Sequence, residues 1–437
     1  MTSYCNGVHI LMIPYPGAGH ILPLMDLTHQ LLRRGLTVTV MVTPKNLHYL
    51  NPLSLYILLH LQTLVLPFPS HSSIPHGIEN MQDLDISFVH DFAAALSKLH
   101  DPIVNWFESH VSPPVAIVSD MLLSSWTPSL ASNLGIPMCV SSSPMHMRCV
   151  HGGGPSKFHV DSYRKLHLGC IQSWGLVFNS FDEIDDEKIN FIKEEITKHD
   201  RLWAVGPLLP IERGPSFLGQ NHQVIQWLDS CHKVDKSAVY VGFGTQITFS
   251  KLQMDAIASA LEQSAVRFIW VVKEPMKGVG NIDDDGNVVP PGFEDRVAGR
   301  GVVIKGWAPQ VAILGHPAVG SYLSHCSWNS ALEGILAEVL LLAWPMQADH
   351  FRNAALLVDE LGVAVRVCEG LETVPDATKL ARALSDSLDM NKPERVRAMK
   401  LRKTALNSIG EGGSSYRALD DFVEQLSSLG ARKTREM

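Results

Sequence analysis

A histidine that takes a proton near neutral pH works best with a carboxylate behind it, to fix its tautomer and stabilise its charged form. His20 and Asp120 are placed to make such a pair. The chain has 20 histidines, so identity alone carries little weight. His20, however, follows the apolar run Val8–Pro14 and the turn Gly17-Ala18-Gly19, where a helical stretch begins. Asp120 follows the strand-like Ala116–Ser119. Asp is also a favoured helix N-cap, so capping is the plain alternative for Asp120. A second cluster lies in Trp307–His350. Ser327-Trp328-Asn329-Ser330 falls where a strand gives way to a helix, so free backbone amides there would point at an anion. His325, just before it, could donate to a phosphate oxygen, or be a satisfied core histidine; Ser330 could equally be a helix cap. Glu333 stands four residues after Asn329 on one helix face and could accept from a diol, or be an ordinary surface glutamate. Trp307 offers a stacking face for a flat ring, or a core indole.

These residues need elements to carry them. In the first half, Val8–Pro14 and Leu36–Thr43 read as strands separated by the helical spacing of Ile21–Arg34, which Gly35 ends. Thr63–Leu66, Ala116–Ser119 and Leu176–Asn179 are further strands. In the second half Ala238–Gly242, Phe268–Val272, Ala318–Leu323 and Val339–Trp344 read as strands. Ser250–Ser264, Ser330–Ala337, Phe351–Glu360 and most of Asp376–Leu429 read as helices. Strands alternating with helix-length segments imply parallel βαβ units. In open sheets of that kind, ligands bind at the carboxyl ends of the strands. Trp203–Gly219, with three prolines and three glycines, suits a linker. Between Pro144 and Ser173 the periodicity breaks down; the stretch, with Gly152-Gly153-Gly154-Pro155, reads as irregular surface near a pocket mouth or as a connection with no role.

A 437-residue chain is too long for one ordinary core and predicts two domains. Its 46% hydrophobic and 18% charged content fits a soluble globular protein. A net charge of −8 argues against nucleic acid and anionic membranes as partners. The seven cysteines, at 5, 139, 149, 170, 231, 326 and 368, are odd in number and never spaced C-x-x-C. Reduced thiols in the cytoplasm are the simplest account. Met1 leads directly toward an apolar strand without a signal-peptide pattern, and no apolar run of about 20 residues exists to span a bilayer.

The whole of Trp307–His350 resembles the plant secondary-product glycosyltransferase signature, which runs from a Trp through W-x-x-Q and H-C-G-W-N-S to W-P-x-x-x-D-Q/H. Similar words of that family, the family 1 UDP-glycosyltransferases, stand at Pro14–Leu27, Asn179-Ser180-Phe181, Gly206-Pro207-Leu208, Val241–Thr245 and Glu411–Tyr416. The resemblance implies a GT-B fold, two Rossmann-like domains facing across a cleft. It places an acceptor-binding domain at 1–210, a linker at 211–236 and a UDP-sugar-binding domain at 237–437, with the last helix able to pack back on the first domain. It implies His20 and Asp120 as the catalytic pair of an inverting O-glycosyltransferase. For the donor it implies Gly19 as a further contact, and near the diphosphate Thr245, with His325, Trp328, Asn329 and Ser330. Trp307, Ala308 and Gln310 fall to base and ribose, Glu333 to the ribose hydroxyls, and Trp344, Asp349 and His350 to the sugar. UDP-sugar is then a co-substrate; no cofactor, metal, nucleic acid or stable membrane insertion is implied.

Gly206–Pro210, Trp227–Cys231, Tyr240–Thr245, Val266–Val271 and Leu342–Phe351 are most similar to flavonol 7-O-rhamnosyltransferases. His350, where glucose users carry Gln, tilts the donor toward another sugar. The expected reaction is therefore transfer from UDP-rhamnose to the 7-hydroxyl of a flavonol, or glucosyl or galactosyl transfer to a similar phenolic. The acceptor pocket is expected near Ile86–Phe92, Ser119–Trp126 and Ser141–Val150, with Met145 and Met147 as adaptable apolar surface. One departure stands out: Ser327 replaces the signature's glycine. If that position needs a positive φ, the cost is about 1 kcal/mol; with the irregular 144–173 stretch, it makes a nucleotide-sugar-binding protein that has lost turnover conceivable. A nicotinamide dehydrogenase is disfavoured, because the third glycine is missing and Thr43-Pro44-Lys45 stands where an acidic residue belongs. Asn281–Gly286 fails as a calcium loop, since Gly292 falls where the bidentate Glu must be.

Overall fold

The computed structural model describes residues 7–56, 60–143, 160–211, 222–231, 235–274 and 287–436. The chain divides into two units, Met1–Glu212 with Asn407–Met437, and Arg213–Leu406. The first is built on seven parallel strands, β1 (His9–Ile13), β2 (Thr37–Val42), β3 (Leu61–Val65), β4 (Ala116–Asp120), β5 (Met138–Ser142), β6 (Gly175–Phe178) and β7 (Leu202–Ala204), in the order β3-β2-β1-β4-β5-β6-β7. The second has six, β8 (Ala238–Gly242), β9 (Arg267–Val272), β10 (Gly301–Lys305), β11 (Val319–Ser324), β12 (Leu340–Ala343) and β13 (Ala364–Arg366), in the order β10-β9-β8-β11-β12-β13. Each sheet winds outward in both directions from its first strand. That is the Rossmann arrangement, and two such units make the GT-B fold.

Both sheets are buried on both faces, which is why their strands are continuous apolar runs rather than alternating ones. In β1, Leu11 and Ile13 enter one core cluster while Ile10 and Met12 enter the other. In β8, Val239 and Val241 separate from Ala238 and Tyr240 in the same way. Short strands with few aliphatic residues or at sheet edges carry a weak pattern. β5, β7, β10 and β13 are the ones that periodicity alone does not reveal.

Two stretches differ from the sequence reading. Part of the irregular segment is a helix, Val160–Ile171. Glycine 169 lets it pack closely: a Cβ there would lie 1.9 Å from the Ser124 carbonyl oxygen. The rest, 144–159 with Gly152–Pro155, Met145 and Met147, lies outside the described residues, as does the acidic 281–286. The stretch 211–236 is not all linker. His222–Cys231 is a helix whose Val224, Leu228 and Cys231 join the core of the second unit.

The last helix, Ser414–Glu436, belongs to the first unit. Leu419, Phe422, Val423 and Leu426 fill the cluster under β1 and β2. The Trp203 ring lies 4.9 Å from that of Phe422, and its indole N–H donates to Asp421 Oδ2 at 2.6 Å. Arg34 Nε donates to Asp420 Oδ1 at 2.8 Å. Replacing fully buried Phe422 by Ala should therefore lower unfolding free energy by about 3–5 kcal/mol, whereas Glu424→Ala on the same helix should change it by under about 0.5 kcal/mol. Urea midpoints of the two variants give the comparison.

Candidate functional site

In a doubly wound sheet the crossovers on either side of the first strand lie on opposite faces, leaving a crevice at the strand ends where the order reverses. In the first unit that point falls between β1 and β4. Ile13 pairs with Ser119, so the chain leaves β1 level with Asp120. It then turns through Pro14–Gly17 into the helix Ala18–Arg33, with His20 in the first turn. His20 Nδ1 lies 3.0 Å from Asp120 Oδ2. The other carboxylate oxygen, Oδ1, accepts the Leu122 N–H at 2.8 Å. Asp120 thus does both things the sequence left open: it caps the turn Met121–Leu123 and engages the histidine.

An ionised carboxylate only accepts, so the Nδ1 contact assigns the proton to Nδ1 and the basic lone pair to Nε2. The His20 side chain is 36% exposed and that of Asp120 6%. A partly open base backed by an enclosed anion suits proton abstraction, because the anion stabilises the imidazolium that forms. The Tyr15 ring stands edge-on to the imidazole at 5.4 Å. Burial, and then the Asp120 charge, push its phenol well up, so it stays protonated. Gly19 is exposed beside His20, with open space where a side chain would be. Behind β2, Asn46 Nδ2 donates to Thr43 Oγ1 at 2.8 Å and to the Glu79 carbonyl at 2.7 Å. The place where a dinucleotide fold keeps its ribose-binding acid is therefore filled by an internal clasp.

The second unit reverses between β8 and β11, where Gly242 pairs with Ser324. Phe243-Gly244-Thr245 and His325-Cys326-Ser327 therefore leave the sheet side by side. Gly244 has φ +72°, and a Cβ there would lie 2.9 Å from the His325 ring. His325 is 7% exposed, and its Nδ1 has no hydrogen-bond partner among the described residues. Burial, and then neighbouring His350 (ring centroids 4.8 Å apart, edge to face), hold its pKa well below the usual range. At neutral pH the ring is therefore uncharged. It can offer one N–H to an anion, as the sequence reading allowed, but carries no charge to neutralise one.

Ser327 is the N-cap of the helix Trp328–Leu336 with φ −60° and ψ 151°. The left-handed residue is its neighbour Cys326, at φ 64°. The expected strain at Ser327 is thus absent, which removes that ground for suspecting lost turnover; the other, the irregular 144–173 stretch, lies largely outside the described residues. Asn329 and Glu333 are half-buried on this helix, while Trp328 and Ser330 are buried. Gln310 opens the helix Gln310–Leu314. Its Oε1 accepts from the Tyr240 and Tyr322 hydroxyls at 3.2 and 3.1 Å, and its Nε2 donates to Glu333 Oε2 at 2.6 Å. The two phenols fix which way the amide faces, and the amide fixes the carboxylate. Trp307 is 44% exposed, which sets aside the core-indole reading; Ala308 next to it is buried.

Trp344 is a correction. Its side chain is fully buried against Phe243 and Phe249. Its indole N–H donates to the Gly370 carbonyl at 3.1 Å and its backbone N–H to Ser324 O at 2.9 Å. Both donors are taken within the core, so it does not meet a sugar. Asp349 is half-buried ahead of the helix His350–Ala355, and His350 is buried against His325. Sequence reasoning missed Tyr240, Tyr322 and Asn353, whose Nδ2 reaches both Asp349 and Cys326. They look like ordinary core positions until the tertiary contacts are known. Among the described residues no group of three or more His, Cys, Asp or Glu stands together as a metal site, and no helix is long and apolar enough to cross a membrane.

Residues 231–401 match the family described as UDP-glucoronosyl and UDP-glucosyl transferase. The chain is 47% identical to a flavonol 7-O-rhamnosyltransferase of Arabidopsis thaliana, over 97% of this chain and 99% of that one. It is 44% identical to the flavonol 3-O-glucosyltransferase UGT89B1 of the same plant, over 97% of each. The solved structure of Arabidopsis thaliana UGT89C1 complexed with UDP-L-rhamnose is similar at TM-score 0.88 and 45% identity, covering 96% of this chain and 99% of that one.

The neutral state of His325 has a stability consequence. The folded ring binds a proton less readily than an unfolded one, so its contribution is complete above the ordinary value of 6.5 and is lost as pH falls below it. Between about pH 7.5 and pH 5 the wild type should lose up to about 2 kcal/mol more unfolding free energy than His325→Gln. Urea titrations at the two pH values measure the difference.

Proposed function

Because the chain belongs to the UDP-glycosyltransferase family, we propose that it transfers a sugar from a UDP-sugar to a hydroxyl of a flavonoid or similar phenolic, with inversion at the anomeric carbon. The observation that carries this reading is the 3.0 Å contact between His20 and Asp120 at the switch point of the first sheet. His20 Nε2 takes the acceptor O–H proton as the oxygen attacks the anomeric carbon. The bond from that carbon to the diphosphate oxygen breaks, and UDP leaves with the electron pair. Single displacement inverts the centre, and Asp120 stabilises the imidazolium until the proton passes to water.

On the donor side, Trp307 stacks on the uracil and the Ala308 backbone meets its edge. Glu333, held by Gln310, accepts from the ribose diol. The diphosphate lies against the N-terminus of Trp328–Leu336 with His325, Asn329, Ser330 and Thr245, where backbone amides and the helix dipole meet its charge without a metal. Asp349 and His350 face the sugar. Tyr15, Phe92 and the turn after Asp120 belong to the acceptor side. The five described cysteines are free, with 139, 170, 231 and 326 buried and 368 half-buried, which fits a reducing, cytoplasmic setting.

For the specific reaction we propose UDP-rhamnose and the 7-hydroxyl of a flavonol, supported by His350 and by the flavonol 7-O-rhamnosyltransferase relative. Glucosyl transfer at the 3-hydroxyl is the second reading, supported by the nearly equal similarity to the 3-O-glucosyltransferase. Mass spectrometry of products from a panel of UDP-sugars against flavonols decides between them. The first reading expects a flavonol 7-O-rhamnoside as the main product, at a rate unchanged by EDTA; a 3-O-glucoside would overturn it in favour of the second.

Asp120→Asn separates the two jobs of that carboxylate. The amide oxygen still accepts from Leu122, but the NH2 group faces Nδ1 and forces the wrong histidine tautomer. The expected result is a fall in kcat of about 10²–10⁴ with melting temperature nearly unchanged. Asp120→Ala should lose similar activity and in addition about 1 kcal/mol of stability, because the cap is gone. Rates and thermal melts on both variants test it.

A further inference from the structure

Asn353 is fully buried on the helix His350–Ala355, one turn beyond Asp349. Its Nδ2 donates to the Cys326 carbonyl at 3.0 Å and to Asp349 Oδ2 at 2.9 Å. Both protons of one amide are thus committed to two different loops. Cys326 is the left-handed residue in the turn ahead of Trp328–Leu336, a conformation unfavourable for an L-residue that needs to be held. Ser324 Oγ holds its N–H at 3.1 Å, and Asn353 holds its carbonyl. With the second proton of the same nitrogen Asn353 grips one oxygen of the carboxylate, so Asp349 cannot turn freely. The Asn353 Oδ1 has no hydrogen-bond partner among the described residues. Burying an amide with its oxygen unmet is costly. An apolar side chain would pack there more cheaply, so the two donated bonds are what the position supplies.

We propose that Asn353 is a positioning residue that couples the diphosphate turn to the sugar-binding carboxylate, and so sets the preference of the protein for UDP-sugar over UDP. The inference rests on the reading given above of Asp349 as a sugar ligand and His325–Ser330 as the diphosphate cradle. UDP needs only the turn, whereas UDP-sugar needs the turn and the carboxylate together. Holding both with one amide places them in a fixed relation before the donor arrives, so the cost of ordering them is met in folding rather than in binding.

The test is the dissociation constant of UDP, and of whichever UDP-sugar the wild type turns over, for the wild type, Asn353→Ala, Asn353→Asp, Asp349→Ala and the double variant carrying Asp349→Ala with Asn353→Ala. Either substitution at 353 should weaken UDP by about tenfold and UDP-sugar by about a hundredfold, so the ratio of the two constants falls about tenfold. In the Asp349→Ala background, Asn353→Ala should no longer change the ratio, because the carboxylate it positions is gone. A role in stability alone would lower the melting temperature and leave the ratio unmoved. If Asn353→Ala does not fold, Asn353→Asp, nearly equal in volume, decides. An unchanged ratio in a folded variant overturns the inference and leaves the proposed function standing. A wild type that binds neither UDP nor any UDP-sugar overturns the reading beneath it.

Discussion

A parallel sheet wound outward from its first strand has one place where its crossovers part to opposite faces, and there the chain cannot cover its own strand ends. This chain builds two such sheets and sets its reactive groups at both reversals. In the first, β1 and β4 deliver a histidine and an aspartate at the same level, because Ile13 and Ser119 are in register. In the second, β8 and β11 deliver the Gly244 turn and the His325 turn at the same level, because Gly242 and Ser324 are in register. The backbone ladder places these groups before any side chain acts; the side chains then fix the last angles.

Those last adjustments are made by groups that work twice. Asp120 caps a turn with one oxygen and orients His20 with the other. Gln310 gathers two phenols on its oxygen and turns its nitrogen to Glu333. Asn353 spans a strained turn and a carboxylate. In each case one polar group makes two or more hydrogen bonds to internal partners, which removes rotational freedom that a ligand would otherwise have to freeze out. The second unit is also sparing with formal charge. His325 is held neutral, so an anion there meets amide dipoles and a helix terminus rather than an imidazolium.

The parallel βαβ character could be read from the chain, because strands buried on both faces leave long apolar runs and helices between them keep their spacing; the family and the GT-B fold were legible only through the resemblance of Trp307–His350 to the glycosyltransferase signature. Short strands escaped: β7 offers three residues and β13 three more, too few for a period. The pairing of His20 with Asp120 was foreseeable from where each stood relative to a strand. The burial of Trp344 was not, since an indole beside polar signature residues looks the same in sequence whether it faces a ligand or Phe243. Ser327 misled for a related reason. A glycine in a family pattern suggests positive φ, but here that torsion belongs to Cys326, and only backbone coordinates can assign it. Tyr240, Tyr322 and Asn353 carried no signal at all, because their significance lies in partners that are distant along the chain or on another loop.

The helix that ends the chain lends Leu419, Phe422, Val423 and Leu426 to the core of the unit that begins it. On a ribosome, the amino-terminal sheet emerges roughly two hundred residues before the piece that seals its underside, a separation set by the span Arg213–Leu406. Its apolar face must wait in the open while the intervening unit is synthesised. Nascent chains stalled or truncated anywhere in that window would carry an unsealed hydrophobic surface where Leu419, Phe422, Val423 and Leu426 belong.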